Sequence, residues 1–280
     1  MSRAYSGPNP VLLEVFKNRF SAICEEMGAA LTKTAFSPNI KERRDHSSAL
    51  FDAAGDMLAQ AAHIPVHLGS MPLSVKAAIA AVDLGPGDMA VLNDPYRGGT
   101  HLPDITLVAP VFAGGEAPAF YVANRAHHAD VGGMTGGSMP LSSSLYQEGL
   151  VIPPLRLVRA GEVDRALMDL ILANVRTPAE REGDFAAQVM ANRTGVRRME
   201  ELLAAQGEDA VAAYARHLTD YSEAMVRQAI AVLPDGDYHH ADLLDGDGLG
   251  ARDVAVDCRL SIAGESAVLD FTASGDQVPG

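Results

Sequence analysis

The chain has 280 residues, a formal net charge of −14 and 48% apolar residues, which is typical of a folded protein rather than a disordered one. The acidic balance argues against a nucleic-acid-binding surface and against a basic face that docks on a membrane, and no apolar run approaches the length that spans a bilayer. Cys24 and Cys258 are the only cysteines, too few for a disulfide framework or a zinc–cysteine cluster, so we expect a cytoplasmic protein.

The residues up to about 160 predict a mixed core of helices and short strands. Apolar residues at three- and four-residue steps indicate buried helical stripes, and short runs rich in branched residues indicate strands. A turn around two glycines separates the two strands of the clearest hairpin. We expect helices over 10–35 and 72–82, and strands over 48–52, 90–92, 105–112, 118–124 and 150–158.

A helical section and then a β-rich module are expected after this core. Thr177 and Glu180 match a capping box, with proline at the first helical position. From Tyr238 onward, apolar runs between Asp-Gly turns predict short strands. The predicted helices cover 163–175, 178–206 and 209–232.

The predicted fold class is therefore α+β, with a mixed hairpin and sheet core, long helices and the start of a β-rich module. We divide the chain into a metal-bearing core over 1–160, a helical section over 161–233 and the β-rich start over 234–280. Because the chain ends in turn residues soon after a predicted strand, we expect it to be the N-terminal portion of a longer protein.

The most suggestive polar residues lie at the two ends of the predicted hairpin. They are His101 and Asp104 before the first strand, and His127, His128 and Asp130 after the second. Antiparallel pairing keeps the sum of paired residue numbers constant, at roughly 229–231 for a turn centred on the two glycines. Residue 104 is then expected opposite residue 125, 126 or 127.

This pairing predicts a cluster of ligands. Because paired strands lie only about 4.8 Å apart, His101 and Asp104 are expected to meet one histidine of the second group. Neighbouring residues on an extended chain point to opposite faces, so His127 and His128 are not both expected there. Two imidazoles and a carboxylate favour a divalent metal such as Zn, Mn or Fe, with Asp45 as a possible further ligand. The spacing leaves a hydrogen-bonded structural cluster as the alternative.

Other motifs have a structural interpretation beside the functional one. The glycine-rich segments 97–100 and 132–138 could offer backbone N–H groups to an anion, or they could be loops that need positive φ. Neither matches a phosphate loop, and no GxGxxG follows a strand, so nothing marks a nucleotide site. His63 and His67 are four residues apart, but Pro65 argues against a helix between them, so we expect both in the core or behind the ligands.

Long motifs run through nearly the whole chain. They are VFKNRFSAICEEMGAALTKTAFSPNIKERRDHSSALFD, NDPYRGGTHLPDITLV, NRAHHADVGGMTGGSMP, NVRTPAEREGD and DFTASGDQV. In this order they resemble the B subunit of the ATP-dependent hydantoinase/5-oxoprolinase family. That family also includes the α subunits of acetone carboxylase and its relatives.

The resemblance implies a two-component enzyme that forms a hetero-oligomer. A partner A-type subunit would bind ATP and phosphorylate the carbonyl oxygen of the substrate. The B subunit would then complete the reaction at a metal centre, by hydrolysis of a cyclic amide or, in the ketone carboxylases, by carboxylation. The resemblance further implies metal ligands at His101, Asp104 and His127, with Asp45 as an additional ligand.

The leading hypothesis is the metal-bearing subunit of an ATP-dependent cyclic-amide hydrolase. In it, His128 or Asp130 would orient a ligand or shuttle a proton. Within the family, the alternative is a subunit of a ketone carboxylase of the acetone or acetophenone type. Alternatives of other classes are a non-haem iron oxygenase, whose facial triad also has two histidines and a carboxylate, and a non-catalytic scaffold with a structural hairpin.

Overall fold

The protein folds around a large antiparallel sheet, in a computed structural model that describes residues 8–62, 64–137 and 139–280. Helices cover this sheet, and the predicted α+β class is confirmed. In the described ranges the helices are α1 (Pro10–Thr34), α2 (Pro38–Lys41), α3 (Val66–Ala81), α4 (Leu145–Glu148), α5 (Arg165–Ala173), α6 (Pro178–Gln206) and α7 (Glu208–Ala231). The strands are β1 (His46–Asp52), β2 (Met57–Ala62), β3 (Met89–Leu92), β4 (Asp104–Val111), β5 (Phe120–His127), β6 (Leu155–Arg159), β7 (Glu162–Val163), β8 (Gly236–Gly246), β9 (Arg252–Ala263) and β10 (Ser266–Asp270).

The predicted hairpin, β4 and β5, forms the middle of the seven-stranded sheet. The strand order is β2-β1-β5-β4-β3-β6-β7, and each neighbouring pair is antiparallel. Both strands are buried almost along their whole length because helices cover both faces. Successive residues of β4 serve opposite faces: Leu107 packs with residues of α1 and α6, whereas Val108 packs with residues of α3.

The long helices lie close to their predicted positions. α1, α6 and α7 begin and end within one residue of the predicted ends. Phe16 and Phe20 of α1 share one apolar cluster with Phe185 of α6 and with residues of the sheet. The predicted helical section is therefore packed into the same core as the sheet. In the part of the chain that the structure describes, no helix has the length and apolar content needed to cross a bilayer.

The structure corrects the predicted start of α3. The helix begins at Val66 rather than at residue 72, with Pro65 as its N-cap residue and Pro72 inside it. A proline just outside a helix costs no intrahelical hydrogen bond, because the first N–H groups have no partner within the helix. His67 consequently lies in the first turn of α3, whereas Pro65 was expected to exclude a helix there.

Three smaller predictions also differ from the structure. The Thr177 side chain makes no capping hydrogen bond, and Glu180 bonds Arg181 instead of closing a capping box. β6 begins at Leu155 rather than at 150, because the two preceding prolines have no N–H group for a strand ladder. In the largely exposed second sheet, ordered β10-β9-β8, β8 and β9 have 11 and 12 residues and are longer than expected.

The two cysteines lie in different surroundings and are predicted to react differently. Cys24 is fully buried on α1, and burial raises the pKa of its thiol to about 12. Cys258 on β9 is partly exposed. Because the thiolate is the reactive form, we expect iodoacetamide at pH 8 to modify Cys24 at least about 100-fold more slowly than Cys258 in the native protein.

Peptide mass spectrometry over a time course measures the two rates. In guanidinium chloride both thiols should react at similar rates, which provides the control. Equal rates in the native protein would contradict the burial of Cys24.

Candidate metal centre

Three predicted ligands meet at the end of the central hairpin. Asp104 opens β4, His127 closes β5, and these two residues are paired directly across the strands. The register is therefore one of the three predicted from the glycine turn. His101 lies in the turn just before β4, where its carbonyl accepts a hydrogen bond from the Asp104 N–H over 3.1 Å. We call His101, Asp104 and His127 the His–Asp–His cluster.

The three side chains of the cluster share one carboxylate oxygen. His101 Nε2 lies 2.9 Å from Asp104 Oδ1, and His127 Nδ1 lies 3.2 Å from the same oxygen. One ligand atom from each residue lies within 4.8 Å of the others. The Asp104 carboxylate is almost completely buried, whereas 38% of the His101 side chain is exposed. The cluster is thus anchored in the core and open to solvent on the His101 side.

The second oxygen of Asp104 has its own partners. The Thr100 hydroxyl donates to Oδ2 over 2.9 Å, and Nε2 of His67 lies 3.3 Å from it. Thr100 belongs to the glycine-containing turn before β4, and His67 belongs to α3. The two oxygens of the carboxylate therefore have different partners: Oδ2 contacts Thr100 and His67, and Oδ1 contacts the two histidines of the cluster.

These contacts change the ionisation of the cluster. Burial alone would raise the pKa of Asp104, but hydrogen bonds with His101, His127 and His67 outweigh it and lower that pKa. The hydrogen bond to Asp104 raises the pKa of His101. Asp104 is therefore an anionic acceptor at neutral pH, and a proton competes with a metal for His101 more strongly than for an ordinary histidine.

Asp45 lies at the edge of the cluster. It directly precedes β1, and the pairing of β1 with β5 brings it beside His127. The backbone N–H of His127 donates to the Asp45 carbonyl over 2.9 Å, and Asp45 Oδ2 lies 3.9 Å from His127 Nδ1. Asp45 thus places a carboxylate next to one of the three cluster residues.

The structure does not bring His128 into the cluster. His128 is fully buried, its Nε2 lies 2.9 Å from Gln188 Oε1, and its ring centroid lies 4.7 Å from that of Phe185. Burial lowers the pKa of His128 to about 4. His127 is therefore the member of the pair that faces Asp104, as the alternation along an extended chain requires.

Asp130 accepts hydrogen bonds from Arg176 and Gly132. Its Oδ1 accepts from Arg176 Nη1 over 2.9 Å and from the Gly132 N–H over 3.1 Å, and its Oδ2 accepts from the Arg176 N–H. These contacts fasten the loop after β5 to the segment that precedes α6. That His128 or Asp130 would orient a ligand or shuttle a proton stays a prediction.

The glycine-rich segments are loops that need glycine. Gly98 and Gly132 have φ near +89° and +88°, and a Cβ on either would lie 2.4 Å from a backbone carbonyl oxygen. A side chain fits neither position. Of the two interpretations from the sequence, the structural one explains these glycines, and the first segment serves to place Thr100 and His101 before β4.

Sequence reasoning missed the Thr100 side chain beside the cluster and misplaced His67, which was expected behind the ligands but not on a helix. The available signal was the spacing of His67, Ser70 and Ser74, which lie three and four residues apart, as on one face of a helix. His63 lies outside the described residues.

The donor set fits a divalent metal. Imidazole nitrogens and carboxylate oxygens are common ligands of zinc and of other first-row metals, and Asp104 supplies the negative charge. Ligand atoms about 2.1 Å from one cation lie about 3.0–3.5 Å apart, close to the spacings of 2.9 and 3.2 Å around Asp104 Oδ1. A cleft of about 280 Å³ opens beside His101, with Pro103, Leu141 and Glu148 among its lining residues, and gives a small molecule access.

The fold and the cluster define an α+β protein with a candidate mononuclear metal centre at the end of its central hairpin. Sequence comparison then identifies the family of this chain. The chain belongs to the hydantoinase B/oxoprolinase family, whose pattern it matches over residues 9–280. The resemblance inferred from the motifs is therefore confirmed.

Several relatives match this chain over nearly its full length. It is 36% identical to the 5-oxoprolinase of Dictyostelium discoideum over 278 residues, covering 97% of this chain and 22% of that protein. It is 32% identical to the putative B subunit of a D-/L-hydantoinase from a Pseudomonas strain over 282 residues, covering 96% of this chain and 48% of that protein. The crystal structure of the ATP-dependent caprolactamase from Pseudomonas jessenii superposes with a TM-score of 0.89 at 33% identity, covering 97% of this chain and 47% of that chain. The chain thus spans less than half the length of each.

Proposed function

We propose that this chain is the metal-bearing part of an ATP-dependent hydrolase of cyclic amides. The convergence of His101, Asp104 and His127 on one carboxylate oxygen, in a member of this family, carries the proposal. The relatives named for 5-oxoproline, hydantoin and caprolactam all point to ring amides as substrates. We infer the same class of substrate here.

The residues of the cluster would hold a divalent metal, Zn, Mn or Fe, through His101 Nε2, Asp104 Oδ1 and His127 Nδ1. Asp45 would add a carboxylate from the edge. A bound metal supplies polarisation of a substrate oxygen and lowers the pKa of a bound water. His101 borders the cleft, so the open side of the site faces the space where a substrate would enter.

A partner A-type subunit would carry out the ATP-dependent step of the reaction. A ring amide is a poor electrophile. A hydantoinase A-type subunit would transfer the γ-phosphoryl group of ATP to the carbonyl oxygen of the amide and release ADP. Water would then attack the carbonyl carbon, the ring C–N bond would break, and hydrolysis of the resulting acyl phosphate by a second water would release inorganic phosphate. The hydantoinase relative from Pseudomonas is named as a B subunit. This name supports a hetero-oligomer in which this chain receives the activated substrate. In this proposal the A-type subunit binds ATP, and this chain completes the hydrolysis.

The test is co-expression of the full-length protein with a hydantoinase A-type subunit from the same organism. We expect ATP-dependent ring opening of hydantoin, 5-oxoproline or caprolactam, measured by liquid chromatography and mass spectrometry. A chelator should abolish product formation, and added Zn²⁺, Mn²⁺ or Fe²⁺ should restore it. Absence of ring opening for all three substrates, or full activity in chelator, would contradict the proposal.

The same preparation separates the alternatives. Incorporation of bicarbonate into acetone or acetophenone, without ring opening of any amide, would identify a ketone carboxylase. Oxygen consumption without a requirement for ATP would identify an oxygenase. A folded complex without bound metal and without activity would favour a scaffold.

A further inference from the structure

Helix α3 presents a polar face to the interior of the protein beside the cluster. His67, Ser70 and Ser74 lie three and four residues apart, so they project from the same side of the helix. His67 and Ser74 are buried. Buried polar groups in proteins are nearly always hydrogen-bonded, and the partners of His67 and Ser74 lie on β1, β4 and β5 and in the turn before β4.

His67 connects Ser47 with Asp104. Its Nε2 lies 3.3 Å from Asp104 Oδ2, and its Nδ1 lies 3.0 Å from Ser47 Oγ. An ionised carboxylate can only accept hydrogen bonds, so the tautomer with the N–H on Nε2 is the one that fits Oδ2. In that tautomer Nδ1 accepts from the Ser47 hydroxyl. The two contacts together favour this tautomer and fix the orientation of His67.

His67 and Thr100 together determine which oxygen of Asp104 faces outward. The Thr100 hydroxyl donates to Oδ2 and His67 Nε2 lies 3.3 Å from the same oxygen, which leaves Oδ1 toward His101 and His127. Rotation of the carboxylate would lose both contacts in a buried site. Oδ1 is thereby presented in a fixed direction.

Arg125 holds α3 in the position that this contact requires. Its side chain is fully buried, and its Nη1 and Nη2 donate to Ser70 Oγ and Ser74 Oγ. Nε donates to Thr106 Oγ1 over 2.9 Å. Arg125 on β5 is paired with Thr106 on β4, so one guanidinium ties α3 to the two strands that carry Asp104 and His127.

We propose that His67 is a positioning residue of the metal centre, which acts through Asp104 by holding Oδ2 so that Oδ1 faces the metal. Arg125 supports it by fastening α3 to the hairpin. This inference rests on the proposed function, in that it assumes a metal at the His–Asp–His cluster. His67 lies outside the His–Asp–His cluster, because its Nε2 faces Oδ2 of Asp104 rather than Oδ1 and its Nδ1 contacts Ser47.

The test is a titration of the full-length protein with Co²⁺, followed by its visible absorption spectrum. His67→Leu removes the donor to Oδ2, and we expect binding about 10- to 100-fold weaker together with a changed spectrum, as is typical when a partner of a ligand is lost. His67→Gln can still place an amide N–H near Oδ2, so it should restore binding to within about 3-fold of the wild type. The matched control is His239→Leu, since His239 is exposed on β8 and pairs with Asp257 far along the chain from the cluster.

A second variant keeps the test decisive if His67→Leu does not fold. Ser47→Ala leaves the imidazole in place but removes the hydroxyl that favours its tautomer, and it should weaken Co²⁺ binding about 3- to 10-fold, the effect of one hydrogen bond. If His67→Leu folds and its affinity and spectrum are unchanged, the positioning role is wrong. If His67→Leu does not fold, unchanged Co²⁺ binding in Ser47→Ala would show the same.

The titration also separates this inference from the proposed function. If the wild-type protein does not bind Co²⁺, the metal centre itself is wrong, and the positioning role falls with it. If the wild type and His67→Leu bind Co²⁺ equally, while His101→Ala does not bind it, the metal centre stands and the role of His67 alone is wrong.

Discussion

Replacing His101 with alanine is expected to remove the metal and the ATP-dependent turnover of the complex while leaving the fold intact. His101 supplies one of the two imidazoles next to Asp104 Oδ1. Loss of a direct ligand should weaken metal binding by more than about 100-fold, the upper end of the effect of losing an outer partner. Because the side chain lies in a turn and is partly exposed, stability should change by about 0.5 kcal/mol or less.

Metal analysis after dialysis, circular dichroism and the ring-opening assay together check this expectation. His239→Ala is the control, because His239 also contacts an aspartate, Asp257, but at an exposed position on β8. That variant should keep the metal content and activity of the wild type. One metal ion per chain retained in His101→Ala would remove the assignment of the cluster as the metal centre.

Substitution of Gly133 by alanine is expected to destabilise the protein by about 3 kcal/mol. Gly133 has φ near +82°, which by itself costs an alanine about 1–2 kcal/mol. Its Cβ would also lie 2.5 Å from the backbone of Glu148, which must shift to admit it. Forcing extra atoms into a filled space typically costs about 1–3 kcal/mol more.

Two neighbouring glycines separate the causes of this loss. A Cβ at Gly136 meets no atom within 4 Å, and φ there is not in the left-handed region, so Gly136→Ala should change stability by about 0.5 kcal/mol or less. Gly137 has φ near +89° with open space around it, so its alanine variant measures backbone strain alone, about 1–2 kcal/mol. Urea unfolding gives all three values. Equal stability of the Gly133 and Gly136 variants would contradict the close approach of Glu148.

The hairpin shows how far local rules reach. The glycine turn and the two apolar runs predict the pairing of Asp104 with residue 125, 126 or 127, and the structure pairs it with His127. The register can be predicted because antiparallel pairing and side-chain alternation follow from local backbone geometry. A turn therefore determines the pairing of residues up to about ten positions to either side. The same local patterns predicted α1, α6 and α7 within one residue of their ends.

α3 shows where those rules stop. Its prolines suggested a later start, but Met71, Val75 and Ala78 pack against the sheet and keep the residues around Pro72 helical. Helix propensity is weak compared with the free energy of burying an apolar face. As a result, the prediction missed the contact between His67 and Asp104.

The sequence by itself determined the α+β class, the family motifs and the meeting of an aspartate with histidines at one end of a hairpin. Only the tertiary structure decided that His127 faces Asp104 while His128 packs on Phe185, and that His67 of α3 contacts the buried carboxylate. The physical reason is the range of the interactions. Strand pairing across a turn follows from neighbouring residues, whereas the partners of a buried polar group come from distant segments that meet only when the core is packed.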